Sequence, residues 1–82
     1  MTIQQQPEVM TGGFILRANR KRIGFTQEQV AEMMDMSLRT YQGWERDRSD
    51  PSFGDVMAIC ECVFKIDVLD AIVVAQEAKD EH

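Results

Sequence analysis

Two hydroxyl residues, Thr26 and Ser37, constrain this chain more than any other feature, because each stands just before a short amphipathic run. Thr26 is followed three positions later by Gln29. That is the spacing of a capping box, in which each side chain bonds the other residue's backbone N–H. Ser37 is a strong N-cap for the run after it. Only Asp35 and Met36 are left to make the turn between the two runs. If two such short helices cross at a steep angle, they touch closely at one point. That contact demands a small residue inside the first helix, which Ala31 supplies. The apolar positions around it are Val30 and Met34 on the first helix, Met36 in the turn, and Tyr41 and Trp44 on the second.

The rest of the chain is punctuated in the same way. A helix is expected over residues 13–22, with Ile15, Leu16, Asn19 and Ile23 at helical spacing and Gly24 to stop it. The third helix spans residues 38–46. A polar loop over residues 47–51 ends in proline, and Ser52 caps a fourth helix over residues 53–64. Its expected inner stripe is Phe53, Val56, Met57, Cys60, Val63 and Phe64. Asp67 caps a fifth helix running to residue 79. The fold class is therefore all-α, with five helices in one domain over residues 12–82 and a polar, glutamine-rich flexible arm over residues 1–11. A chain of 82 residues buries only roughly 60% of its unfolded surface, so a partner subunit would add stability.

Several classes of function find no support. No run approaches the ~20 apolar residues of a membrane span. The first seven residues lack the basic and apolar regions of a signal peptide, so a cytoplasmic protein is expected. Cys60 and Cys62 stand about 200° apart around a helix and suit reduced, structural thiols, with Cys60 facing inward. The one histidine is terminal His82. No metal constellation, glycine-rich phosphate loop or catalytic grouping is present, so neither a cofactor nor an enzyme activity is expected. Met33, Met34, Met36 and Met57 read as adaptable core. Tyr41 and Trp44 read the same way, in preference to a platform for stacking bases.

The stretches G-F-T-Q-E-Q-V-A (residues 24–31) and M-S-L-R-T-Y-Q-G-W-E (36–45), with the following P-S (51–52), resemble the repressor/Cro-type, lambda-repressor-like helix-turn-helix regulators. The resemblance spans about residues 16–72. It implies a five-helix repressor fold, homodimeric binding to palindromic DNA operators, and the third helix in the major groove. Gln27 matches the glutamine that bonds a backbone phosphate. Ser37, Leu38, Arg39, Gln42 and Gly43 form the face offered to base edges, where Arg39 suits guanine O6 and N7, Gln42 adenine, and Leu38 a thymine methyl. Thr40, Arg46, Arg48 and Lys21 are the further phosphate candidates. Arg20 and Glu45 match a structural pair. Asp35 stands where the family usually has glycine, Asn19 where it has an apolar residue, and Phe64 and Lys65 where a helix-ending glycine is common.

Charge is distributed to suit that reading. The net charge is −5, yet residues 14–48 carry seven Lys/Arg against five acids, a local +2. Residues 49–82 carry two lysines against eight acids, a local −6. Local potential governs encounter with a polyanion. The fifth helix is broadly apolar, and Leu69, Ile72 and Val73 are its expected dimer contacts, setting half-sites about 34–36 Å apart. The small size suits a phage or mobile-element regulator. An antitoxin that binds a toxin protein and regulates its own operon is the first alternative. A protein–protein adaptor on the same fold is the second.

Overall fold

A computed structural model describes residues 10–80 as five helices joined by short loops: α1 (Gly12–Ile23), α2 (Gln27–Met33), α3 (Leu38–Glu45), α4 (Phe53–Cys62) and α5 (Val68–Asp80). The described residues contain no strand. None of their helices is long and apolar enough to cross a membrane.

The caps form the helix starts. Thr26 Oγ1 accepts from the Gln29 N–H at 3.0 Å, and Gln29 Oε1 accepts from the Thr26 N–H at 2.8 Å. Ser37 Oγ accepts from the Thr40 N–H at 3.0 Å. Ser52 and Asp55 close a second capping box, and Asp67 Oδ1 accepts from the Leu69 N–H at 2.8 Å. One start falls inside the expected arm. Thr11 Oγ1 accepts from the Phe14 N–H at 3.0 Å, and Met10 packs against the core. Both residues therefore belong to the helical domain, whereas residues 1–9 of that arm, and residues 81–82 of the expected domain, lie outside the described residues.

Helix ends rely on left-handed residues. Gly24, at φ 97°, closes α1 without steric cost. Asp35 (φ 55°) closes α2 and Asp47 (φ 60°) closes α3. In each case the next residue's N–H reaches back into the helix, Met36 to the Ala31 carbonyl at 3.0 Å and Arg48 to the Gly43 carbonyl at 2.9 Å. Lys65 (φ 57°) does the same work after α4.

The core is built around α1, which touches α3, α4 and α5. Leu16, Val30, Tyr41, Ile59, Cys60, Ala71 and Ala75 are buried in it. Asn19 is buried among them, and its Nδ2 donates to the Ile15 carbonyl at 2.8 Å and to the Ala71 carbonyl at 3.0 Å. The amide thus ties α1 to α5, which accounts for a polar residue at an apolar position. Gly13 permits the contact of α1 with α3, because a methyl group there would fall 1.9 Å from the Trp44 carbonyl oxygen.

The fourth helix differs from expectation. Val56, Ile59, Cys60 and Val63 form the inward stripe. Phe53 is 64% exposed, and Met57 is also exposed. Met57 lies about 100° from Val56 around the axis, and Phe53 sits on the first turn, at the flank of the stripe. Met33, expected in the core, is likewise on the outer side of α2 and exposed. Cys60 is buried and Cys62 exposed, both as free thiols. Burial, helped by Glu61, pushes the Cys60 thiol up to about 11, so it stays protonated.

Candidate nucleic-acid interface

The inner side of α3 fixes the outer. Tyr41 is fully buried and meets the half-buried Trp44 edge-on, with ring centroids 6.5 Å apart. Together with Val30, Ala31, Met34 and Met36 they form the contact between α2, α3 and the core. Their burial turns Arg39, Gln42, Gly43 and Arg46 toward the opposite side.

A polar chain crosses three helices behind that face. Arg20 Nε donates to Glu45 Oε2 at 2.7 Å, and Arg20 Nη2 donates to Glu45 Oε1 at 3.0 Å. Arg20 Nη1 also donates to the Phe25 carbonyl at 2.9 Å, which fastens the loop between α1 and α2. Gln27 Nε2 donates to Glu45 Oε1 at 3.0 Å. Gln42 Nε2 donates in turn to Gln27 Oε1 at 3.2 Å. Burial alone would push the Glu45 carboxyl upward. The hydrogen bond from Arg20, the neighbouring Tyr41 and Gln27, and the Arg20 charge outweigh it and hold the carboxyl below its usual range. The same Glu45 hydrogen bond raises Arg20, more than burial lowers it. Burial, and then the adjacent carboxylate, raise Tyr41 well above an ordinary phenol. Its hydroxyl lies beside the ion pair but makes no hydrogen bond among the described residues.

Two adjoining surface clefts hold most of the residues singled out in the sequence. Arg17, Lys21, Gln27, Leu38, Gln42 and Arg46 line the first, between α1, the start of α2 and α3. Leu38, Arg39, Gln42, Gly43, Arg46 and Arg48 line the second, along the outer face of α3. Leu38, Gln42 and Arg46 are common to both. Ser37 and Thr40 are arranged differently. The Ser37 hydroxyl accepts from the Thr40 N–H and donates to Thr40 Oγ1 at 2.8 Å. Both bonds lie within the first turn of α3, where Ser37 is the N-cap and stays exposed. Thr40 is exposed but lines neither cleft.

Sequence reasoning passed over Arg17. It is exposed on α1 and lines the first cleft beside Lys21. The signal was its spacing, three residues before Arg20 and four before Lys21, which puts all three on one helical face. The bonds from Gln27 to Glu45 and Gln42 were also missed. They depend on how α2 crosses α3, and no spacing along the chain encodes that.

A short capped helix braced against a second helix, whose outer face is polar and basic, defines a DNA-binding head of the repressor type. The family model described as helix-turn-helix matches residues 16–63, more than half of the chain. The chain belongs to that family, in its repressor/Cro-type branch, and its five helices form the lambda-repressor-like fold. It is a DNA-binding transcription regulator. Neither a curated protein nor a solved structure matches the chain.

Proposed function

We propose that this protein is a cytoplasmic, non-enzymatic repressor that binds a palindromic operator as a homodimer, with α3 in the major groove. The observation that carries this reading is the outer face of α3. Leu38, Arg39, Gln42 and Gly43 line one cleft there, backed by the buried Arg20–Glu45 pair. Arg39 is exposed, and a guanidinium suits guanine O6 and N7. Lys21, Gln27, Arg46 and Arg48 flank the face and serve the phosphates, with Arg17 added to them and Thr40 at the margin. Dimerisation is assigned to α5. Leu69 is 69% and Val73 53% exposed, one turn apart, with the half-buried Ile72 beside them.

Selection of bound sequences from a random DNA pool tests the reading. A palindromic motif is expected, with Arg39→Ala relaxing preference at one position in each half-site. Failure to retard any DNA at low salt, the protein's own upstream region included, would overturn it.

A further inference from the structure

We infer that Asn19 is a positioning residue that fixes how α5 is turned on α1, and thereby sets the half-site spacing that the dimer accepts. This rests on the homodimer proposed above, with its contact on α5. Asn19 is fully buried on α1, among the apolar side chains of the core. Its Nδ2 donates to the Ile15 carbonyl, 2.8 Å away on its own helix, and to the Ala71 carbonyl, 3.0 Å away on α5. Its Oδ1 is buried with no hydrogen-bond partner among the described residues, which lowers stability. Both carbonyls lie inside helices, where each already accepts an N–H from four residues further on. The amide therefore satisfies no group that would otherwise be orphaned. What it adds is direction.

Apolar contact supplies little direction along this part of α5. Val68 is buried in the first turn, but beyond it the most deeply buried residues are Ala71 and Ala75. Their side chains are too small to resist a turn or a slide of the helix. Slippage by one residue would move α5 by about 1.5 Å along its axis and turn it by about 100°. A hydrogen bond to one particular carbonyl is lost in either movement. A single buried polar group can in this way specify register at a cost in stability. The exposed Leu69 and Val73 each stand two residues from Ala71, about 200° around the helix. The strip assigned to the dimer therefore points away from the Asn19 bond, and its direction follows that bond. The next residue of α1, Arg20, holds Glu45 of α3. Neighbouring side chains of one helix thus fasten the reading helix and the dimer helix to the same strut, which fixes the angle between them.

The test compares the full-length protein with Asn19→Leu and Asn19→Ala, using circular dichroism for fold and sedimentation for mass. Each protein is selected against a random DNA pool. Kd is then measured on palindromes with half-sites at the selected spacing, or one base pair closer or farther. One base pair turns a half-site by about 35° around the duplex, so a fixed dimer can seat both heads at one spacing only. The wild type is expected to bind the selected spacing about tenfold tighter than its neighbours, the worth of one base contact. Both Asn19 variants should select the same half-site sequence, with that ratio shrunk severalfold. Asn19→Leu, similar in size and without the unpartnered oxygen, should also keep or raise the urea midpoint. A folded variant found as a monomer would support the inference, since the exposed strip would then have lost its direction. Folded, dimeric variants with the wild-type spacing ratio would overturn it and leave the homodimer reading intact. So would an Asn19→Leu protein that is unfolded or much less stable, because the amide would then serve stability. A wild type that is monomeric, or that selects only single half-sites, would overturn the inference together with the homodimer reading.

Discussion

The α1–α3 head and the α4–α5 half of this molecule solve the same packing problem with opposite surfaces. The head hides its aromatic residues and leaves cations and amides outside, wired through the buried Arg20–Glu45 pair. The α4–α5 half is acidic and leaves apolar side chains outside, namely Phe53, Met57, Leu69 and Val73. A surface of directed polar groups suits a ligand with a patterned, charged edge. A surface of exposed apolar side chains suits a protein contact. The difference teaches that stability and specificity share residues in the head but are separable in the α4–α5 half. Substitutions can test that separation.

The largest effect is expected from breaking the buried pair. Glu45→Ala strands the Arg20 guanidinium, whose side chain is only 13% exposed, and frees Gln27. Loss of one partner of a buried pair costs about 3 kcal/mol, a large share of the stability of a small domain. Urea unfolding should show it, and DNA binding should fall with it. The same pair predicts a pH dependence. The folded pKa of Glu45 lies below its usual value of 4.5. Its stabilisation is therefore complete above that value and is lost as pH falls through the folded pKa. The urea midpoint should drop in that acid range, and Glu45→Gln should flatten that part of the profile. A midpoint unchanged in Glu45→Ala would show that the pair does not brace the head.

In the other half the expected outcome is a loss of assembly without a loss of fold. Leu69→Asp places a charge on a side chain that the protomer already leaves exposed. Its helical content should match the wild type, while sedimentation shows a monomer and operator affinity falls at least tenfold. Met33→Asp on the exposed outer side of α2 is the control and should leave the mass unchanged. If Leu69→Asp kept the wild-type mass, the exposed apolar strip of α5 would not be the interface.

The contrast between the halves also explains what the sequence made legible. Local chemistry was readable: Thr26, Ser37, Ser52 and Asp67 start helices at the positions their hydroxyl or carboxylate groups suggest. Asp35 takes the left-handed turn in place of glycine. The buried stripe of α4 was readable only in part, because Phe53 and Met57 sit at its flank, and hydrophobicity alone does not tell flank from centre. Ile59, fully buried, was missed for the same reason. Least legible were contacts made across the fold. The Asn19 bond to the Ala71 carbonyl, the approach of Gly13 to Trp44 and the bridge from Gln27 to Gln42 depend on helix crossings that the chain order does not reveal.

The smallest expected effect separates fold from reading within the head itself. Gly43 lies inside α3, where glycine costs roughly 1 kcal/mol relative to alanine. The fold does not require it. A methyl group there would meet only Ser49 Oγ, at 3.6 Å, which is an ordinary contact. Its φ lies outside the left-handed region that favours glycine. Gly43→Ala should therefore raise stability by roughly 0.5–1 kcal/mol, measured as a higher urea midpoint. Gly43 also lines the outer cleft of α3 with Arg39 and Gln42, where a bare backbone lets the helix sit deeper in a groove. The same substitution should thus weaken operator binding while it strengthens the fold. A variant both more stable and equally tight on DNA would place Gly43 outside the reading face, and Leu38, Arg39 and Gln42 would have to account for recognition without it.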